Sequence, residues 1–241
     1  MDAHRHLLPM DTSADAGRRR GRTALLPIGS FEQHGPHLPS ATDTVIACTI
    51  AREIAARYPV QVLPPLTLSC SHEHEDWPGT VSISASTLLA VVRDVAASVR
   101  RSGAAGLVLV NGHGGNYALG NAVQEARGEL ALFPGPSDWA AARAAAGLET
   151  SADADMHAGE IETSVLLHAH PELVGTGYAE ADHDAEDRPH LLTLGLRAYT
   201  ASGVVGRPSL ATARKGAAVL ESLCSSFGAL PPLSALSPRG G

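Results

Sequence analysis

In the segment GSFEQHGPHLPSATD, residues 29–43, the carboxylates of Glu32 and Asp43 and the imidazole of His34 could bind a metal ion. Glu32 and His34 are two positions apart, so an extended backbone would point both side chains to the same side. Asp43 follows a loop rich in glycine and proline, at the expected N-cap of the next helix. Taken alone, Asp43 is better explained as a cap that accepts free backbone N–H groups. A metal site therefore needs further ligands from elsewhere in the chain.

A second segment, VNGHGGN at residues 110–116, follows the strongest predicted strand and encloses His113 between glycines. Glycines occur where the backbone turns sharply or approaches a ligand closely. A plain strand-to-helix turn with an exposed histidine explains the same pattern. So does a phosphate-binding turn at a helix N-terminus, although the GxGxxG pattern and the P-loop lysine are absent. His113 is therefore a candidate ligand that needs partners.

The third segment, DMHAGEIETS at residues 155–164, places His157, Glu160 and Glu162 at the start of a predicted helix. Glutamates in a first helical turn commonly complement the helix dipole, so either one alone needs no functional explanation. A histidine with two glutamates, followed by an apolar run, favours a binding site. Imidazole and carboxylate ligands without thiolate suit Zn²⁺, Mn²⁺ or Fe²⁺, and the carboxylates are numerous enough to bridge two ions.

These candidate ligands require a scaffold that brings distant segments together, and the hydrophobic pattern predicts one. Short apolar runs alternate with longer segments of helical periodicity. The predicted strands are residues 23–29, 60–68, 106–112 and 131–133, and the predicted helices are 42–58, 84–102, 115–130, 162–170 and 212–227. Such alternation is typical of an α/β domain with a doubly wound, largely parallel sheet between helices. In that fold the functional groups collect at the carboxyl edge of the sheet.

The domain is expected to span residues 23–228 as a single unit. Residues 1–22 are polar and lack periodicity, which predicts a flexible leader, and residues 229–241 are expected to form a loose tail. The first two predicted strands contain prolines, which we expect at strand ends because proline donates no backbone hydrogen bond.

Composition excludes several classes of protein. The chain has 241 residues, a formal net charge of −7 and 44% hydrophobic residues, so it can bury a sizeable core. The acidic balance argues against binding to nucleic acid. No apolar stretch is long enough to span a bilayer, and no signal peptide is recognisable. Three scattered cysteines do not form a disulfide framework. We therefore expect a cytoplasmic protein with neither a nucleic acid nor a membrane as partner.

The sequence resembles the creatininase (creatinine amidohydrolase) family. The matching motifs are GSFEQHGPHLPSATD, SHEHEDWPGTVSIS, VNGHGGN and DMHAGEIETS, with a weaker match in GVVGRPSLAT near the C-terminus. They occur in the order of the family and cover the chain from about Thr23 to Leu223. The resemblance implies a single-domain three-layer α/β sandwich, a centre of two divalent metal ions, and assembly into a homo-oligomer, by analogy a hexamer.

The resemblance also assigns metal ligands. It implies that Glu32, His34, Asp43 and His113 bind the ions, which would be Zn²⁺, Mn²⁺ or Fe²⁺, with Asp43 as the bridge between them. In creatininase a glutamate two residues after the histidine is a further ligand, whereas here Gly115 occupies that place. The last ligand is therefore expected to be Glu162, or else Glu160.

Further roles follow from the same resemblance. His157 matches a histidine that transfers protons near the substrate, and Glu160 could accept a proton from water if it is not a ligand. The residues expected to line the substrate pocket are Glu73, His74, Trp77, Gly114 and Gly115.

The implied activity is that of a metal-dependent amidohydrolase, which cleaves a non-peptide or cyclic amide C–N bond with an activated water. The absence of the GxSxG and SxxK motifs weakens a covalent mechanism. One alternative within the family is a peptidase that trims a short modified precursor peptide, and another is a deformylase. A non-catalytic metal-binding module is the remaining alternative. The expected partner is a small-molecule amide or a short peptide.

Overall fold

A computed structural model describes residues 7–18 and 22–230 of the chain. The strands are Thr23–Ile28 (β1), Gln61–Val62 (β2), Gly106–Asn111 (β3) and Leu130–Phe133 (β4). The α-helices are Ser13–Arg18 (α1), Thr42–Arg57 (α2), Ala85–Arg101 (α3), Ala118–Glu125 (α4), Pro136–Ala146 (α5), Glu160–Ala169 (α6), Leu191–Leu194 (α7) and Ala213–Gly228 (α8). Short 3₁₀ segments lie at His72–His74, Pro171–Leu173, Thr176–Glu180, Leu196–Ala198 and Pro208–Leu210.

The four strands form one parallel sheet in the order β2-β1-β3-β4. Helices cover both faces, which explains why all residues of β1 after Thr23 are buried. On one face Leu25 packs with residues of α2, α5, α6 and α8, including Ile50, Ala142, Leu166 and Leu223. On the other face Leu26 packs with residues of α3 and α4, including Leu88 and Leu119. The predicted three-layer α/β sandwich is therefore confirmed.

The second predicted strand is much shorter than residues 60–68. Only Gln61 and Val62 form a strand, because Pro64 and Pro65 have no N–H with which to continue the ladder. Beyond them one parallel bridge joins Ile28 and Leu66.

Pro27 departs from the expected position at the end of a strand. It lies one residue before the end of β1, which is an inner strand of the sheet. Its carbonyl still contributes to the sheet, because it accepts the N–H of Leu66 at 2.9 Å.

The predicted leader and tail fall partly outside the described residues, which omit 1–6, 19–21 and 231–241. Within the leader, α1 is a short helix and Leu7 packs against the main core, so these described residues do not match the expected absence of structure. No helix within residues 7–18 and 22–230 has the length and apolar character needed to cross a membrane.

The sheet brings two of the motifs to one edge. In the register of β1 and β3, Ile28 is paired with Asn111 at the carboxyl ends of both strands. The segment that begins at Gly29 and the turn that contains His113 therefore emerge side by side. The third motif reaches the same edge through His157, whose Nε2 donates to the carbonyl of Gln33 in the segment after β1 at 2.6 Å.

Candidate metal centre

Six side chains from three distant segments converge at this edge of the sheet. Among the described residues, three groups each place their ligand atoms within 4.8 Å of one another. These groups are Glu32, His34 and His157; Glu32, Asp43 and His113; and His34, Asp43 and Glu162. All six residues are buried except Glu162, which is half-buried.

Asp43 connects the two halves of the cluster. Its Oδ1 lies 3.0 Å from Nε2 of His34, and its Oδ2 lies 2.9 Å from Nδ1 of His113. Oδ2 also accepts a hydrogen bond from the hydroxyl of Ser30 at 2.7 Å. The expectation that Asp43 caps a helix is wrong, because the N-cap of α2 is Ala41 and Asp43 lies inside the helix, with its carboxylate turned to the histidines.

Glu32 supplies the observation that tests whether a cation fits this cluster. Its side chain is fully buried, yet neither Oε1 nor Oε2 accepts a hydrogen bond from any residue that the structure describes. Oε2 lies 3.3 Å from Nε2 of His113, and Oε1 lies 3.3 Å from Nε2 of His74 and 3.7 Å from Nδ1 of His157. A buried carboxylate without hydrogen bonds is costly unless a cation neutralises it. The donors present therefore fit a divalent metal ion.

The last of the three groups lies on the other side of Asp43. Oε1 of Glu162 is 4.0 Å from Nε2 of His34, and Oε2 accepts the backbone N–H of Ala158 at 2.6 Å. His34 is oriented by its own Nδ1, which lies 3.1 Å from the carbonyl of Glu32. A hydrogen bond from one ring nitrogen of a histidine fixes the ring so that the other nitrogen can bind a metal ion.

The charges of the clustered side chains depend strongly on one another. Burial lowers the pKa of His34, but the neighbouring carboxylate of Asp43 outweighs it and raises the pKa to about 10. The pKa of His113 also rises to about 10, because Glu32 and Asp43 outweigh burial. Burial raises the pKa of Glu32 to about 7 and that of Glu162 to about 8. Protons on these groups reduce the negative charge of the cluster, and a bound divalent cation would do the same in their place.

His157 is positioned with one ring nitrogen facing the cluster. Its Nε2 lies 2.6 Å from the carbonyl of Gln33 and donates to it, which leaves Nδ1 to face Glu32. The ring is stacked between His34 and His74, with centroids 4.1 and 4.3 Å away. Burial lowers the pKa of His157 well below its usual range.

Glu160 does not join the cluster, although the sequence made it a candidate proton acceptor and ligand. Its buried carboxylate receives Nζ of Lys215 at 2.5 Å and the hydroxyl of Thr150 at 2.6 Å. The backbone N–H groups of Glu149 and Thr150 donate to it as well. These donors saturate the carboxylate, which leaves Glu160 with a structural role between α6 and α8.

The residues expected to line the pocket do not all lie in the same environment. His74 is buried inside the cluster against Glu32, and burial lowers its pKa to about 3. Trp77 packs with Leu196 and Val205, and the guanidinium of Arg197 lies 5.1 Å from its ring centroid. Trp77 is therefore part of a small hydrophobic cluster.

Two cavities lie beside the turn that carries His113. Gly114 borders one of them, and Gly115 and Glu73 border the other. The first cavity, of about 290 Å³, is bordered by His113, Gly114 and Glu162, with apolar walls from α2, α5 and α6. The second cavity, of about 370 Å³, is bordered by Glu73 and Gly115 and by the exposed residues Tyr117, Leu192 and Leu194. Both cavities adjoin the centre.

Several residues that support the centre were not identified from the sequence. Ser30 hydrogen-bonds to Asp43, and the side-chain amide of Gln33 lies 2.9 Å from Nδ1 of His74. The alternation that linked Glu32 to His34 could have pointed to Ser30, which is two positions earlier. Asp155 anchors the start of α6 by accepting the N–H groups of residues 160 and 161.

Comparison with known proteins places the chain among relatives. A family model described as creatinine amidohydrolase (Creatininase) matches residues 9–230. A mycofactocin precursor peptide peptidase of Mycobacterium ulcerans is 41% identical over 205 residues, covering 80% of this chain and 77% of that protein. A creatinine amidohydrolase of Pseudomonas putida is 33% identical over 94 residues, covering 37% of this chain and 36% of that protein. A solved structure of creatininase with Mn has a TM-score of 0.78 at 23% identity, covering 95% of this chain and all of that one.

Proposed function

The chain belongs to the creatininase family of metal-dependent hydrolases, and on that premise we propose that it cleaves an amide bond in a short modified peptide with the help of two divalent ions. The observation that carries the proposal is the position of Asp43, whose two oxygens face His34 and His113 separately. One carboxylate between two imidazoles is the arrangement expected where two cations share a ligand.

The candidate ligands divide between two ions. Glu32, Asp43 and His113 would hold one, and His34, Asp43 and Glu162 would hold the other. Such a pair of ions polarises an amide carbonyl and makes water nucleophilic near neutral pH. Zn²⁺, Mn²⁺ and Fe²⁺ all suit these ligands.

His157 moves the proton that the reaction requires. Its Nε2 donates to the carbonyl of Gln33, so Nδ1 is the nitrogen that would accept a proton from the attacking water and pass it to the leaving amine. Gln33 and the neighbouring rings of His34 and His74 hold this imidazole in place. The expected result of His157→Ala is unchanged metal content with a loss of turnover of about 100-fold or more. Equal turnover in the variant would refute this role.

A peptide substrate is favoured over a small cyclic amide by two observations. The match to the mycofactocin precursor peptide peptidase extends over 80% of the chain, whereas the match to the creatinine amidohydrolase covers 37%. Two cavities also flank the turn at residues 113–115, and together they accommodate a substrate that extends on both sides of the scissile bond. A small amide would need only one of them.

The test is an assay of the metal-loaded protein on separate substrates. We expect hydrolysis of the mycofactocin precursor peptide for which the relatives are named, with mass spectrometry locating the addition of water. Elemental analysis of the same preparation should give two divalent ions per chain. Hydrolysis of creatinine with no cleavage of the peptide would reject the peptide substrate and favour the non-peptide amidohydrolase activity. Release of formate from a formylated substrate would identify a deformylase.

Assembly and location are further parts of the proposal. We expect a homo-oligomer, by analogy with the family a hexamer, in the cytoplasm. Analytical ultracentrifugation measures the first, and fractionation of the source cells measures the second.

A further inference from the structure

Glu73 is a carboxylate that has no role in the proposed mechanism. Its side chain is only 10% exposed, and it accepts no hydrogen bond from any residue within the described part of the chain. Oε1 lies 3.9 Å from Nε2 of His113, on the face of the imidazole that also meets Glu32. A nearly buried anion without a hydrogen-bond partner points to a missing positive charge.

The glycine at 115 makes this position available to Glu73. A Cβ atom at residue 115 would lie 2.3 Å from Oε1 of Glu73 and 2.4 Å from Nε2 of His113. Both distances are far shorter than van der Waals contact, so any side chain at 115 would displace the carboxylate or the imidazole. Gly115 therefore permits His113 and Glu73 to meet.

The 3₁₀ segment His72–His74 places both Glu73 and His74 beside the candidate metal centre. His74 contacts Glu32 from this segment, and the next residues, Glu75 and Asp76, border the same cavity as Glu73. Of these three carboxylates, Glu73 is the one whose side chain approaches His113.

We propose that Glu73 is a further carboxylate of the metal centre, which acts on the ion held by Glu32, Asp43 and His113 and raises the affinity for it. This inference rests on the proposed function in one respect, namely that the cluster binds divalent ions. It adds a negative charge to a site that already has two carboxylates. Mutation of the groups that neighbour metal ligands typically lowers metal affinity by about 10- to 100-fold.

The test measures Zn²⁺ affinity of the metal-free protein by competition with a chromogenic chelator. Glu73→Gln keeps the shape of the side chain and removes its charge, so we expect the affinity of one site to fall by about tenfold or more. Glu73→Asp restores the charge at a shorter reach and should give an intermediate affinity. Glu75→Gln is the matched control on the same cavity and should bind like the parent. Circular dichroism of the metal-free variants checks that each is folded.

Two results would overturn the inference. The first is a Zn²⁺ affinity of Glu73→Gln equal to that of the parent. The second is the same unchanged affinity combined with a higher KM for the peptide. That combination would assign Glu73 to substrate binding. A parent protein that binds no Zn²⁺ would instead reject the proposed function itself, so the two failures are distinguishable.

Discussion

At the scale of single residues, the centre is defined by acids and imidazoles whose charges depend on one another. Asp43 has its pKa held well below the usual range, because the charges of His34 and His113 outweigh its burial. The pKa of Glu32 rises, because burial outweighs the nearby charge of His113. Asp43 is thus an anion held between two imidazoles.

The proposed role of Asp43 as a ligand shared by two ions predicts that its loss affects both of them. We expect Asp43→Asn to reduce metal content from two ions per chain to less than one, because both groups of ligands include this carboxylate. Glu162→Gln should remove one ion only. Asp94→Asn, on the exposed face of α3, is the control. Elemental analysis measures all three, and equal losses in Asp43→Asn and Glu162→Gln would contradict a bridge.

The raised pKa values predict that ion binding releases protons. At pH 8 the imidazoles of His34 and His113 are protonated, because their pKa values lie near 10. A metal ion binds the neutral imidazole, so binding must displace these protons and affinity must fall as the pH falls. Calorimetry in two buffers of different ionisation enthalpy measures the release. Identical heats in both buffers would count against the assigned ligands.

At the scale of elements, helix α6 shows how one segment separates structural from functional acids. Successive residues of a helix are rotated by about 100°, so positions two apart face opposite sides. Glu160 points to Lys215 of α8 and Glu162 points to His34. Asp155, held by Arg143, anchors the first turn and so fixes the direction of both glutamates.

The contact between α6 and α8 predicts an effect on stability with a defined pH dependence. The pKa of Glu160 lies below its usual value, because hydrogen bonds from Lys215 and Thr150 outweigh burial. Its contribution is therefore present above the unfolded pKa, near 4.5, and is lost as the pH falls through the lower folded value. Glu160→Gln should lower the melting temperature at pH 7, and the difference from the parent should shrink in acid.

Metal content provides the second measurement for Glu160→Gln. We expect it to equal that of the parent, since the carboxylate does not face the cluster. Loss of an ion without any change in melting temperature would return Glu160 to the ligand set.

At the scale of the whole molecule, the sheet places the centre between two cavities of different character. The smaller cavity has apolar walls from α2, α5 and α6, and Arg143 at its border is bonded to Asp155 at 2.9 Å. The larger cavity carries the carboxylates near Glu73. An apolar group of the substrate is therefore expected in the smaller cavity.

Trp139, in α5, tests this assignment, because its ring forms part of the apolar wall. Burial of a large apolar side chain is worth about 1.5–3 kcal/mol, so Trp139→Ala should raise KM by about tenfold or more for a substrate with a large apolar residue. Tyr117→Ala removes an aromatic ring from the other cavity and should not change this preference. Equal KM values for the parent and Trp139→Ala across apolar and polar substrates would rule out the assignment.

The sequence alone was enough to predict the layered fold and the segments that supply the candidate ligands. Alternating periodicities determine the strands and helices, and the ends of parallel strands collect at one edge, so Glu32, His34 and His113 could be brought together without coordinates. Imidazoles and carboxylates without cysteine then restrict the class of cation.

Only the tertiary structure decided which acids face that edge. It placed Glu160 against Lys215, turned Asp43 from a cap into a link between histidines, and brought Glu73 over Gly115. Local patterns indicate where a side chain begins, whereas its partner can lie 124 residues away, as Gln33 does from His157. Burial and charge pairing, which select among equivalent acids, exist only once those segments have packed.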